Sequence, residues 1–430
     1  MKVLELFNYI VMCLFLLCYS YQLFYIPVAL VGRRPHRGQT KFHRYAVLIA
    51  ARNEVAVIGQ LIDSIRAQDY PEELVDIFVV ADNCTDDTAA VARRHGARVY
   101  ERFDRRHVGK GYALRFLLGS IARDYGRGRY DGYFVFDADN VLAPDYIRQM
   151  NRTFSDGYGV VTSYRNSKNY GDNWISAGYA LWFIRDSRYL NHARMILGGS
   201  CVVAGTGFMF SREVLERCGG WNYFLLTEDT EFTADMVLKG EKIGYCPEAV
   251  LYDEQPTGFK QSWRQRMRWC RGYMQVFRRY GAGLLKGIFG KNGLSCYDMT
   301  MSIMPAAVLS GLSVIVNLIA AAVNFAAGRD LSAFAGSVLL LGWNLYMTLF
   351  IVGAITTVTE WRQIHCAGWK KILYAFTFPV FMFTYVPICI ASLFTDVQWQ
   401  PIRHERSLSL EEIRTGEQKK LPARTGSKTA

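Results

Sequence analysis

The chain has 430 residues, 51% of them hydrophobic and 14% aromatic, which excludes a disordered protein and leaves room for two or three domains. A formal net charge of +12 would suit nucleic acid, but the apolar residues gather in long blocks near both ends, so a lipid bilayer is read as the anionic partner and no nucleic acid is expected. Ten cysteines without paired C-x-x-C spacing fit free thiols facing a reducing compartment better than a disulfide framework or a zinc site.

Residues 3–31 are almost all apolar, too long for a signal-peptide core, and lack a small-residue cleavage site before "GRRPHRGQTKFHR". They predict a transmembrane helix over 1–31. Five basic residues follow it (Arg33, Arg34, Arg37, Lys41, Arg44), and the positive-inside rule then places the next domain in the cytoplasm of a plasma (inner) membrane protein.

From Tyr45 to about Pro256 the runs "YAVLIAA", "VDIFVVAD", "ARVYE", "YFVFDAD" and "GVVTSYR" read as strands alternating with helices, an α/β pattern with a largely parallel sheet. Ligands of such sheets sit beyond the carboxyl ends of the strands, which here read Arg52-Asn53-Glu54, Asp82-Asn83 and Asp137-Ala138-Asp139. In a β-strand the side chains at i and i+2 share a face, so Asp137 and Asp139 project together from the strand end, and two such carboxylates repel unless a cation joins them. Hard oxygen ligands suit Mg²⁺ or Mn²⁺ bridging to phosphates, while two solvated turn acids give the same string.

Asp82 could accept a hydrogen bond from a nucleobase or ribose, whereas Asp86 and Asp87 suit simple helix capping. Lys110, between two glycines at a helix start, favours a phosphate, although a solvated lysine explains it too. Glu228 and Asp229 follow an apolar run. They serve either as an acidic first helical turn or as a general base acting on an acceptor hydroxyl.

In "FKQSWRQRMRWCRGYMQVFRRY", Phe259, Trp263, Met267, Cys270, Met274 and Phe277 form one apolar stripe at 100° per residue, with Gln265, Arg268 and Trp269 roughly opposite. Seven basic residues and no acid lie between Lys260 and Arg279. This predicts amphipathic interface helices over 257–298. Further apolar segments at about 299–327, 331–358 and 372–394 predict a membrane region of two to three spans over 299–395. Three crossings would put the basic tail on the side opposite the catalytic domain, against the positive-inside rule. Pro379 and Pro387 suggest that the last segment is broken or re-entrant. Residues 396–430 are polar, and the last fifteen are expected to be disordered.

In their order, Asp82, Lys110, Asp137-x-Asp139, Thr227-Glu228-Asp229 and Gln265-x-x-Arg268-Trp269 resemble the membrane-embedded processive family-2 glycosyltransferases, the class of cellulose, chitin and hyaluronan synthases and bacterial exopolysaccharide synthases. The resemblance implies an α/β GT-A-like nucleotide-sugar-binding domain (32–256) with a mixed, mostly parallel sheet. It also implies an inverting hexosyltransferase moving sugar from a nucleotide-sugar donor, UDP-linked by expectation, onto a growing polysaccharide. In that class Asn53, Glu54, Asp82, Lys110 and Asp137 would bind the substrate, Asp82 at the nucleotide base and Asp137 at the nucleotide, and Asp139 would hold the Mg²⁺ or Mn²⁺ at the diphosphate. Asp229, with Glu228, would be the base, and Gln265, Arg268 and Trp269 the acceptor entrance. Trp399, Arg403 and His404 of "QWQPIRHERS" resemble a segment gating the nucleotide site. The partners implied are the donor, a glycan or lipid-linked acceptor, the bilayer and secretion or export subunits. Two alternatives stand beside this: transfer of a single sugar to a lipid-phosphate or lipid-linked acceptor, and a non-catalytic nucleotide-sensing subunit of an export complex.

Overall fold

The computed structural model describes residues 2–34, 36, 38–328, 332–402 and 404–415. Helix α1 (Lys2–Val31) leads into the alternating unit β1 (Tyr45–Ala51), α2 (Ile58–Arg66), β2 (Val75–Asp82), α3 (Thr88–Arg94), β3 (Arg98–Arg102), α4 (Lys110–Tyr125) and β4 (Gly132–Asp137). The second half runs β5 (Val141–Leu142), α5 (Tyr146–Ser155), β6 (Val160–Ser167) and α6 (Trp174–Arg185). A π-helical turn (Asp186–Asn191) joins α6 to α7 (His192–Ile196), followed by β7 (Phe208–Ser211), α8 (Arg212–Arg217), α9 (Glu228–Leu238) and β8 (Ile243–Asp253).

The eight strands form one mixed sheet in the order β3-β2-β1-β4-β7-β6-β8-β5. β1 pairs in parallel with β2 and β4, and only β7 and the short β5 run against their neighbours. The register sets Ala51 beside Ala81 and Ala50 beside Asp137, so the polar ends of three strands meet on one edge. The strands are apolar on both faces because both are covered. Val47, Ile49, Phe134 and Phe136 pack on α2 and α5, while Leu48, Val80 and Val135 pack with Leu114, Leu117 and Phe232 of α4 and α9. β7 and β8 escape the sequence pattern because one has four residues and the other carries Pro247 in its middle.

Beyond the sheet come α10 (Phe259–Gly287), α11 (Gly293–Ile303), α12 (Pro305–Ala326), α13 (Ser332–Thr359), α14 (Gly368–Phe383), α15 (Tyr385–Phe394) and α16 (Leu410–Thr415). Among the described residues three helical stretches are long and apolar enough to cross a membrane: Leu6–Val31, Val338–Thr359 and Gly368–Phe394. Two expected boundaries move. The apolar segment taken to begin at Met299 is split at Met304, and Met299 and Ile303 are buried with Val237, Val276 and Leu284, so the interface helices extend to Ile303.

The stretch Gly368–Phe394 is broken at Thr384, three residues before Pro387. Both of its ends meet the catalytic domain: Lys370 donates to the Gly171 carbonyl (2.7 Å), and just beyond the other end the Trp399 ring lies 5.4 Å from the Arg52 guanidinium. The segment therefore returns to the side on which it starts. The tail up to Thr415 shares the side of the sheet, with Leu408 and Ile413 packed on Val141 and Tyr252.

Candidate active site

β4 stays buried until Asp137, where the chain turns. Asp139 lies in the turn and not in the strand, so the two carboxylates do not share a strand face as the i, i+2 argument required. They have separate neighbours. Asp137, with 38% of its side chain exposed, accepts from the Lys110 ammonium at 2.5 Å. Asp139 is 3% exposed and accepts from the backbone N–H of Glu254 (2.8 Å). Burial pushes the Asp139 carboxyl up, but His404, Lys168 and Arg165 and that N–H outweigh it and hold the group below its ordinary range.

The other strand ends close around these acids. Asn53, in the left-handed conformation at φ 60°, ties the β1 loop to the β2 loop through Thr85, accepting from its N–H (2.8 Å) and donating to its hydroxyl (3.1 Å). Asp82 is buried, and one of its oxygens takes both Arg102 (2.5 Å) and Asn83 (3.1 Å). Glu54 is bonded by His404 of the tail (3.0 Å); burial pushes its carboxyl to about 7, while burial of His404 is outweighed by Asp139, Glu54 and Glu254, raising the imidazole to about 10. Glu254 accepts from the N–H groups of Glu405 and Arg406 (3.2 and 2.9 Å). The tail is thus laid across the strand ends. Arg403 lies outside the described residues.

Lys110 opens α4 after Gly109, whose φ of 139° suits glycine alone. Its ammonium also donates to the Gly205 carbonyl (2.7 Å), and a Cβ on Gly205 would stand 3.5 Å from Asp229. The strand-end acids and the acids of α9 therefore border one recess. Glu228 and Asp229 sit at the positive end of α9. Burial first, and the Asp229 charge second, push Glu228 to about 7; burial raises Asp229 as well, with Lys110 and Arg268 as counter-charges. Glu231, by contrast, is structural, accepting from the N–H groups of Phe224 and Leu225 and from Arg279.

α10 approaches this recess closely: a Cβ on Gly272 would be 2.5 Å from Thr227. Arg268 donates to the Leu226 carbonyl (2.6 Å), and the Gln265 side-chain oxygen is buried without a partner. Trp269 meets Tyr179 and Phe183 of α6 edge to face, at 5.7 and 6.0 Å. The two-faced helix expected from the apolar stripe needs correction, because α10 is gripped on several sides. Cys270 faces Cys389 of α15 with sulfurs 2.8 Å apart, and Phe277 enters the core beside Val237. The deepest contact with α14 and α15 is Arg266. Fully buried, it donates to the Phe381 carbonyl and the Thr384 hydroxyl at the helix break, with its guanidinium 4.4 Å from the Phe381 ring.

The sequence reading also passed over Arg165, Lys168, Asp253 and Arg102. Arg165 is paired with Asp253, its guanidinium 3.6 Å over the Phe183 ring, and the buried Lys168 ammonium has no hydrogen-bond partner. The signal was available. "RNSK" and "YDE" are polar ends of β6 and β8, and the rule that picked out Asp82 and Asp137 covers them equally.

Among the described residues no three His, Cys, Asp or Glu side chains gather closely enough to hold a metal by themselves. One or two carboxylates at an open strand end fit instead an ion whose shell is completed by substrate phosphates, as Mg²⁺ and Mn²⁺ require.

The model of the family described as "Glycosyltransferase like family 2" matches residues 43–272, more than half of the chain and the whole of the recess up to α10. The chain belongs to this family. Its fold is that of the GT-A-like glycosyltransferases. A mannosyltransferase from Pyrobaculum calidifontis, solved with GDP-Man and Mn²⁺, superposes with a TM-score of 0.56 at 18% identity, covering 90% of this chain and 99% of that one. The β-monoglucosyldiacylglycerol synthase of Synechocystis sp. is 28% identical over 245 residues, 56% of this chain and 50% of that protein. The poly-β-1,6-N-acetyl-D-glucosamine synthase of Staphylococcus epidermidis is 23% identical over 237 residues, 54% of this chain and 55% of that one. The chain thus spans about half the length of these curated relatives, and as a family-2 glycosyltransferase it is like enzymes acting on a lipid and on a polysaccharide.

Proposed function

We propose that this glycosyltransferase inverts the anomeric centre of a nucleotide-sugar donor while moving the sugar onto a hydroxyl presented at the membrane surface. The observation that carries the reading is the Lys110 ammonium, which bonds Asp137 and also the Gly205 carbonyl beside Asp229, so that donor-side acids and candidate base border one recess. Asp82 accepts from an N–H of the nucleobase, held in place by Arg102. Lys110 and Arg268 face the diphosphate. Mg²⁺ or Mn²⁺, when held by Asp139 and Asp137 with the donor's phosphates, supplies the charge that neutralises the departing nucleoside diphosphate. Asp229 takes the proton of the acceptor hydroxyl as its oxygen bonds to the anomeric carbon and the bond to phosphate breaks. Glu228, Lys110 and Arg268 set the charge around that proton.

A growing polysaccharide is the first reading of the acceptor, supported by the half-buried Trp269 ring, which the buried Tyr179 and Phe183 brace edge to face, since a flat ring suits a sugar face. A single transfer to a membrane lipid is the second, supported by the 28% identity to the glucolipid synthase. The basic residues after α1 favour a cytoplasmic catalytic domain. Membranes containing the protein, incubated with a panel of radiolabelled UDP- and GDP-sugars, should incorporate label, with product size separating polymer from glycolipid. No incorporation from any donor would sink the reading.

A further inference from the structure

The seam between α10 and α15 holds two thiols that the reaction above does not use. Cys270 and Cys389 stand 119 residues apart in the chain, yet their Sγ atoms are 2.8 Å apart, and both are free. A disulfide bond is about 2.05 Å long, so a movement of less than about 1 Å brings the two sulfurs to bonding distance. The two differ in access: Cys270 is 5% exposed, whereas Cys389 is half-buried. Arg266 stands one turn before Cys270 on α10 and donates to the Thr384 hydroxyl (2.6 Å) at the head of α15, and its Nε and Nη2 have no hydrogen-bond partner. Thiols oxidise as thiolates, which a neighbouring arginine favours.

The stretch of α10 around Cys270 is the one that faces the recess. Trp269 precedes Cys270 in the chain and is braced by Tyr179 and Phe183. Gly272, two residues farther on, lies against Thr227, the residue before Glu228 and Asp229. α15 begins at the break in the membrane segment. A bond between the two sulfurs would therefore fasten the proposed acceptor side of the recess to that broken segment, and it would shift the helix beside Trp269.

We infer that Cys270 and Cys389 are a thiol oxidation site, closing to a disulfide that locks α10 onto α15 and slows transfer. The effect on transfer rests on the proposed transferase reading, whereas the bond itself does not. The oxidant class is a hydroperoxide, here hydrogen peroxide. The thiolate of Cys389, the more accessible of the two, attacks one peroxide oxygen: the S–O bond forms, the O–O bond breaks, and the departing hydroxide takes up the proton that the thiol gave as water. The Cys270 sulfur then attacks the Cys389 sulfur. The S–S bond forms, the S–O bond breaks, and a second water leaves with the Cys270 proton. Two thiols have lost two electrons and one peroxide has become two waters. A dithiol reverses the bond by exchange.

The test treats the full-length protein in vesicles with hydrogen peroxide and then with dithiothreitol. Mass spectrometry of peptides from thiol-blocked samples reads the Cys270–Cys389 link, radiolabelled UDP- and GDP-sugars read transfer, and UDP and GDP binding reads the donor site. Peroxide should give wild type the linked peptide and cut its transfer rate about tenfold, within what a misplacement of about 1 Å can cost, with nucleotide affinity held. Reduction should restore the rate. Cys270→Ala and Cys389→Ala should each start near the wild-type rate and lose the peroxide response. The link is read on wild type, so a variant that does not fold leaves the test intact. No linked peptide, a linked peptide with unchanged transfer, or a peroxide response that survives both substitutions would overturn the lock while leaving the transferase reading standing. No transfer by wild type from any donor would overturn that reading and the effect on rate with it, and the linked peptide would still decide whether the bond forms.

Discussion

The proposed donor half and the proposed acceptor half of the recess are built on opposite plans. At the strand ends most charges already have a partner: Asp137 has Lys110, Asp82 has Arg102, Glu54 has His404 and Asp253 has Arg165. Along α10 the pattern is reversed, with the Gln265 oxygen, the Thr227 hydroxyl and two guanidinium nitrogens of Arg266 buried without partners. A buried polar atom left unpaired costs on the order of 1–3 kcal/mol, and fixed charges at the strand ends need no rearrangement as a donor arrives. The strand-end side is thus set in ion pairs, while the α10 side carries buried polar atoms that the fold itself leaves unpaired.

The sharpest way to break this comparison is to disable the donor half without touching the acceptor half. Asp139→Asn, or an excess of chelator, should remove detectable transfer while α10 keeps its protection from proteolysis, because the change deletes a charge and no packing. Activity near wild type in either condition would dissolve the distinction. Asp229 stands on the boundary. Asp229→Asn should cut kcat by about 10²-fold or more with nucleotide affinity nearly unchanged. A raised carboxyl stays protonated to higher pH, and only its ionised form can accept a proton. In wild type, kcat should therefore climb with pH above, and not at, the value of about 3.9 of a free aspartate. Stopped-flow or steady-state profiles of kcat check both. The Asp229 charge helps to hold Glu228 up at about 7, so Glu228 is still protonated while Asp229 ionises; Glu228→Gln should leave that limb where it is, and a limb that moves would show that the two acids titrate together. The smallest effect belongs to the acceptor half itself. Trp269→Ala should raise acceptor KM about three- to tenfold, in line with the loss of an aromatic contact worth about 0.5–1.5 kcal/mol, with donor KM unaltered. An equal rise in both would place Trp269 in the donor half.

The same contrast explains what could be read from the sequence. Strands of five to eight apolar residues ending in charge announce themselves locally, so β1, β2, β3, β4 and β6, and with them Glu54, Asp82, Asp137 and Asp139, were legible. The mistake over Asp139 was local as well, since nothing in "FDADN" marks the strand's last residue. Arg266 was illegible for another reason. Arg266 looks like one more surface arginine of a basic helix until Phe381 and Tyr385, more than 110 residues later, close over it. Helical periodicity assigned α10 two faces, but the fold presses a third neighbour, α6, against Trp269.

The Arg194 guanidinium grips both oxygens of Asp298 (2.7 and 2.8 Å), and Tyr21 and Tyr25 of α1 donate to the same carboxylate (3.0 Å each). A helix of the catalytic domain, the interface helix α11 and the N-terminal apolar helix are thereby fastened at a single buried charge pair. Breaking such a pair by removing one member typically costs about 3–5 kcal/mol. Cutting the family-2 region free at residue 272 removes Asp298 and strands Arg194 as an uncompensated cation inside the protein. In this chain the enzyme and its anchor are one folding unit, so recombination of this catalytic domain onto another anchor requires that Arg194 be given a new partner or be lost with the old one.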